Sequence, residues 1–454
     1  MYSAQVKTGL FAVAGLNAVS TTYYFYYIYF FMQERFGFDR IQNLVLAASL
    51  GFIYTFASIF CGRFAQRCGH FLSLRLGFFI MAAVLAVGGG LPGIAAQLAA
   101  AIICDIGMCF TWPTLEAMVS EGESPSGLQR MVGIYNLVWA GGGAFAYFTG
   151  GAMLEHFGLR SMFLVPSTMQ VAQLALAFWL EKKSAQIGSR LTTPRSAIAS
   201  RAVEPTPNPS QEGNGRGADR PVLSSRSAAG ALTPSPSSIG LERVAECRGN
   251  AWSHSEESGG SPSGERELSP RPVARAFLKM AWLANPFAYL AINTIIAVIP
   301  SLAKELKLSP MFAGFFCSVW LFVRVGAFAL LWLWPGWHYR FRWLIGAYAA
   351  MVASFALILL VPNLALLLAA QCVFGLAVGL IYYSSLFYSM DAGEAKSEHG
   401  GFHEAAIGAG SCAGPAIGAA ALHFFPDAPG SSAWAVSGML LLGLCGLTWL
   451  RRRA

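Results

Sequence analysis

The chain has 454 residues, 55% of them hydrophobic and only 12% charged, with a mean hydropathy of +0.51. Soluble domains are nearer half apolar and a quarter charged, and here the excess is gathered in long apolar runs. A soluble globular protein is therefore excluded, and an all-α integral membrane protein is expected. The formal net charge of +8 does not mark a nucleic-acid binder. The basic residues are spread over short loops and one long linker, where a membrane protein needs them anyway.

A membrane-crossing helix needs roughly 20 apolar residues. On that criterion six segments fall in the first half of the chain, at about 9–32, 41–61, 72–90, 93–119, 130–152 and 160–180. Six more follow at about 277–302, 310–334, 342–361, 363–390, 401–423 and 431–450. The first run, Gly9 to Met32, is too long for a signal-peptide core and is expected to be retained as a transmembrane helix. The domains expected are a six-helix bundle over 1–183, a linker over 184–275 and a second six-helix bundle over 276–454.

The linker is rich in Ser, Pro, Gly and Arg, as in "VEPTPNPSQEGNGRGADRPVLSS", and cannot bury a core, so it is expected to be disordered and cytoplasmic. Parts of it resemble translated dispersed genomic repeats; an insertion of little function and a regulatory tail are the two readings. The nine cysteines include no CxxC pair and mostly lie in apolar runs. They read as small buried hydrophobes, with no disulfide framework, metal or cofactor expected.

The two halves look like copies of each other. Asn17 matches Asn285 in the first helix of each half; "GMCFTWPTLEAM" (107–118) matches "GLIYYSSLFYSM" (379–390); "GIYN" (133–136) matches "GGFH" (400–403). These and the pair "FGFD" and "LKLS" keep offsets of 267 to 272. Parallel repeats of this kind place a solute site between the halves near the midplane. Lys and Arg concentrate in the loops on the side of the two chain ends, so both termini are expected in the cytoplasm.

"GRFAQRCGH" (62–70), between the second and third segments, resembles the signature loop of the major facilitator superfamily. Gly62, Arg67 and Gly69 match the pattern, Arg63 adds a second base, and Gln66 stands where the family has an acid. "GSCAGPAIGA" (410–419), in the eleventh segment, is similar to a small-residue helix motif of the same superfamily, with Pro415 as a potential bend. The resemblance covers both halves and implies two pseudo-symmetric six-helix bundles that transport by alternating access. It also implies a gating loop at Gly62, Arg63, Gln66, Arg67 and Gly69. In the family the acid at position 66 helps clamp the closed state, so a charged clamp there is put in doubt.

Ionisable groups inside membrane helices are costly and mark functional sites by default. Here they are Asp105 and Glu116 in the fourth segment, Arg324 in the eighth, Asp391 at the end of the tenth, and the adjacent His403 and Glu404 in the eleventh. Segments three, six, nine and twelve, which the resemblance places on the outside, carry none. Asp105, Cys109, Trp112 and Glu116 share one helical face, with the carboxyls roughly 16 Å apart along the axis. Each carboxyl reads either as a proton carrier or as a structural partner. Arg324 reads either as an anion-binding group or as the partner of Asp105 or Glu404. Glu404 could replace the missing clamp by meeting Arg63 or Arg67, leaving His403 to face the cavity.

The remaining candidates for the cavity wall are Asn17, Thr21 and Tyr24; Asn136 and Trp139; Asn285, Tyr289 and Asn293; and Ser384 and Tyr388. Amides and aromatic faces suit a small polar organic solute. The expected function is a secondary transporter of such a solute, a monomer in a bacterial inner membrane, with protons as a candidate coupling ion. Uptake and efflux both remain open. The alternative is a non-transporting sensor or scaffold on the same fold. An enzyme is not expected, because no nucleophile–base constellation or phosphate loop is found and the charges are divided between helices and depths.

Overall fold

The computed structural model describes residues 2–123, 125–201, 270–361, 363–392 and 396–453, and all the regular structure among them is helical. Residues 1–194 and 269–454 form one compact unit. Most of the linker, 202–269, and the side chain of Asp391 fall outside the described residues.

The first half comprises α1 (Ala4–Phe36), α2 (Arg40–Cys68), α3 (His70–Gly88), α4 (Ile94–Cys109), α5 (Trp112–Ser120), α6 (Pro125–Phe157) and α7 (Ser161–Arg201). The second comprises α8 (Pro270–Glu305), α9 (Pro310–Cys317), α10 (Val319–Leu333), α11 (Phe341–Leu360), α12 (Leu364–Ala392), α13 (Lys396–Phe424) and α14 (Ser431–Arg453). Taking α4 with α5 and α9 with α10 as single spans gives twelve transmembrane helices in two bundles of six. Eleven qualify on length and hydropathy alone. The twelfth is α1, 33 residues long, whose apolar character is diluted by Asn17, Ser20, Thr21, Thr22 and a run of tyrosines.

Local chemistry sets the ends of these helices. Ser3 caps α1 by accepting from the Val6 N–H, and Gly37 ends it at φ 71°, a left-handed conformation that favours glycine. Asp39 and Gln42 form a capping box at the start of α2. Gly69, at φ 103°, is the whole connection between α2 and α3. The expected gating loop is therefore the last turns of α2 plus one residue.

The fourth span breaks where Pro113 removes a backbone donor and crowds the preceding turn. Phe110 and Thr111 interrupt the helix, and Pro113 occupies the first turn of α5. The carbonyl of Phe110 accepts from the hydroxyls of Ser73 (2.8 Å) and Thr114 (2.8 Å). Asn17 of α1 donates to the Thr111 hydroxyl at 3.1 Å. The Phe110 carbonyl at the break is thus satisfied by side-chain hydroxyls, as irregular backbone at membrane depth requires.

Pseudo-symmetry is visible in the packing. α1 packs on α6 as α8 packs on α13. Across the halves, α2 packs along α13, and α6 packs along α9 and α10. Glycines set the first interface: a Cβ on Gly51 would lie 2.4 Å from the Cys412 nitrogen, and one on Gly408 would lie 2.6 Å from the Thr55 nitrogen. The other face of α13 meets α8 through Gly410 and Gly414, which would strike the carbonyls of Pro286 and Leu290. The small-residue motif is thus a two-sided packing surface, with Pro415 inside a helix that remains unbroken by it.

α8 is the most enclosed of the qualifying spans, with 67% of its apolar window buried, while α14 is the least, at 33%. Rows such as Phe52, Phe56 and Phe60 on α2 point outward, where lipid would cover them.

Candidate functional site

A cavity of about 190 Å³ lies between the halves, many times the roughly 10–15 Å³ needed for one water. Its walls come from α1, α2, α4, α5, α6, α8, α12 and α13. Eight expected residues line it: Thr21, Asp105, Trp112, Glu116, Trp139, Tyr289, Asn293 and Glu404. Asn293 is oriented by donating to the Ser411 hydroxyl at 2.8 Å.

Two carboxyls from opposite halves meet at this cavity. Glu116 on α5 and Glu404 on α13 each bring a carboxylate oxygen to within 4.8 Å of the other. Tyr54 of α2 donates to Glu404 at 2.5 Å. Both acids are buried, and neither has a cationic group within salt-bridge distance among the described residues. Two like charges about 4–5 Å apart repel by roughly 3–4 kcal/mol even at an effective dielectric of 20. A pair in this position therefore favours holding at least one proton between its members.

His403 sits behind this pair. One of its ring nitrogens and one oxygen from each carboxylate lie within 4.8 Å of one another. Against the expectation of no metal, this is the one set among the described residues that could hold a metal ion. The imidazole packs edge-on to Tyr382, its Nδ1 lies 3.4 Å from the Ser385 hydroxyl, and its Nε2 has no partner.

The reading of the adjacent pair is thus reversed. Glu404, not His403, lines the cavity, and it meets Tyr54 rather than Arg63 or Arg67. Gln66, Arg63 and Arg67 are exposed on the end of α2, while Gly62 lies against Gly401, where a Cβ would meet its Cα at 3.2 Å. On that face the ionic contacts among the described residues stay within the first half: Lys7 with Glu123, His70 with Glu121 at 3.8 Å and Arg75 with Glu181 at 2.9 Å. The ion pair that crosses between the halves, Arg40 with Glu305, lies on the opposite face. There Glu155 also accepts the Met311 N–H at 2.7 Å.

Arg324 meets neither Asp105 nor Glu404. Its guanidinium lies over the rings of Trp139, at 4.7 Å, and Trp320, at 5.0 Å. Trp139 is held in turn by Asn136, whose side-chain oxygen accepts its indole N–H at 2.9 Å.

Six other expected wall residues are not at the surface of the cavity. Asn17 serves the break at Thr111, and Asn136 orients Trp139 from behind. Tyr24 packs into the first bundle against Phe163. Asn285 is buried without a hydrogen-bond partner, and Ser384 bonds the Ile381 carbonyl at 2.9 Å. Tyr388 accepts the Tyr339 N–H at 2.9 Å, among Phe277, Trp337 and Tyr339.

The structure adds Thr22, Tyr26, Tyr29, Tyr54, Tyr135, Tyr382 and Ser411 to the wall. On α1 the lining positions are 18, 21, 22, 25, 26 and 29, a stripe spaced i, i+3, i+4, i+7, i+8 and i+11. The expected stripe through Asn17, Thr21 and Tyr24 is rotated by one residue, about 100°.

A membrane protein of two repeated six-helix bundles, with a cavity lined by ionisable groups at their interface, has the architecture of a membrane transporter. A family model described as the Major Facilitator Superfamily matches residues 10–415, and the chain belongs to that superfamily. Among solved structures the fold is similar to the human organic anion transporter MFSD10 (TETRAN), with a TM-score of 0.60 and 14% identity, over 97% of this chain and 98% of that one. No curated protein sequence matches the chain.

Proposed function

We propose that the protein is a secondary transporter that moves a small organic solute by alternating access and couples that movement to protons at Glu116 and Glu404. The observation that carries this reading is the meeting of two buried carboxyls from opposite halves beside His403, with no Lys or Arg within salt-bridge distance among the described residues. With a proton between them, the halves can approach at this level. With both ionised, repulsion favours separation, so the charge state of the pair biases the relative position of the halves.

The solute would occupy the adjoining space between Trp112, Trp139, Tyr289 and Asn293. Opening toward one face requires α2 to part from α13, and α6 from α9 and α10, at that end. The Arg40–Glu305 pair and the Glu155–Met311 contact would hold the face away from the chain ends, and the Gly62–Gly401 contact would hold the face carrying them, which we take as cytoplasmic.

The test is transport by purified protein in proteoliposomes. Glu404→Gln is expected to abolish uphill, pH-driven accumulation while retaining solute counterflow. Accumulation at the wild-type level would exclude the pair as the coupling site. Loss of counterflow in wild-type protein, with solute binding intact, would favour a sensor on the same fold.

A further inference from the structure

We infer that the solute is a small organic carboxylate and that Arg324 of α10 is the group that reads its charge; this rests on the reading of the central cavity as the solute site. Arg324 is only 3% exposed, and burying a charge is costly unless something neutralises it. No carboxylate oxygen lies within 4.0 Å of it among the described residues, Asp105, Glu116 and Glu404 included, and its Nε has no hydrogen-bond partner. The two indoles that cover it attract a cation through their ring faces and supply no counter-charge.

Arg324 is not on the cavity wall itself but lies directly behind it. Trp139, which covers one side of Arg324, is itself a cavity wall, and the wall phenols of Tyr26 and Tyr289 lie within electrostatic reach of the guanidinium. Trp139 and Trp320 take up the cation–π contacts of the guanidinium, while its N–H donors have no acceptor at Nε. A guanidinium carries a fork of N–H donors that matches a carboxylate with two parallel hydrogen bonds. The rest of the wall is largely aromatic and aliphatic, which suits a ring or branched hydrocarbon body; its polar groups are Thr21, Thr22, Asn293 and Ser411, and its acids, Asp105, Glu116 and Glu404, must be protonated or turned from the bound anion. A cavity of about 190 Å³ restricts that body to a small molecule.

The test is thermal stability of the purified protein with benzoate, phenylacetate and 3-methylbutanoate, each compared with its neutral amide at equal ionic strength. Glucose and uridine serve as uncharged probes. At least one carboxylate is expected to raise Tm by about 2 °C or more, with its amide giving little or no shift. Arg324→Gln is expected to lose that shift, and Arg324→Lys, which keeps the charge without the fork, to retain a reduced one. If Arg324→Gln does not fold, Arg324→Lys carries the comparison, and a full-sized shift in it overturns the proposal. Equal shifts from acid and amide, a shift that survives in Arg324→Gln, or no shift from any carboxylate would each overturn it as well. Binding of an uncharged probe without acid preference would do so while leaving the cavity in place as a solute site.

Discussion

The Tyr54 hydroxyl of α2 donates to the Glu404 carboxyl of α13 at 2.5 Å, so a phenol of one half holds an acid of the other. Hydrogen bonds to charged groups contribute about 1.5–3 kcal/mol, and 1.4 kcal/mol is a factor of ten in rate. Tyr54→Phe is expected to lower the initial rate of solute uptake in proteoliposomes roughly tenfold or more, with fold and expression unchanged. A wild-type rate would show that the bond does not contribute to the transport cycle.

Asp105 lines the same cavity, and its Oδ2 has no partner. It lies beyond salt-bridge distance of Arg324 and is not part of the carboxyl pair. If the pair carries the coupling proton, Asp105→Asn should change apparent solute affinity and leave pH-driven accumulation intact. Lost accumulation with retained counterflow in this variant would move the coupling site from Glu404 to Asp105.

Asn17 and Thr111 provide a structural comparison. Asn17→Ala removes a buried hydrogen bond at the break in the fourth span, and a loss of about 1–2 kcal/mol is expected as a fall in Tm. Solute affinity should be preserved, because Asn17 is not on the cavity wall. Pairing it with Thr111→Val in a double-mutant cycle should show coupling between the two positions. Additive effects would mean that the bond is not formed.

The α2–α13 interface is a steric prediction. Gly51→Val places its side chain against the backbone of Cys412, where even a Cβ would lie at 2.4 Å. Overpacking of a close interface costs about 1–3 kcal/mol, so folded yield and Tm should both fall, and transport with them. Gly346→Ala on α11 is the control, since nothing lies within 4 Å of its Cβ position.

Hydropathy and repetition make most of the fold legible in the sequence, because apolar length and charge placement act over whole segments. The break in the fourth span was legible through Pro113. The cavity was legible only in part, because polar type and spacing do not tell a wall residue from one turned into the bundle. Thr21, Trp112, Tyr289 and Asn293 line it, whereas Asn17, Asn136 and Ser384 are equally polar and equally well spaced but bond within the bundle. Spacing defines a face without defining its azimuth, so the stripe on α1 was read one residue off.

The adjacency of His403 and Glu404 gave the same ambiguity, since neighbours on a helix point about 100° apart and only packing decides which one faces inward. The Glu116–Glu404 meeting was not legible at all. By the repeat offset of 267, Glu404 corresponds to Leu137 in the first half, so symmetry gave no hint that it would face an acid across the interface.

Proton movement coupled to solute is the most direct test of the account. Wild-type proteoliposomes containing a trapped pH-sensitive dye should show a pH change in the lumen when solute is added outside without an imposed pH gradient. The double variant Glu116→Gln with Glu404→Gln should exchange labelled solute and give no such change. A solute-driven pH change of wild-type size in the double variant would contradict the assignment of the coupling proton to this pair.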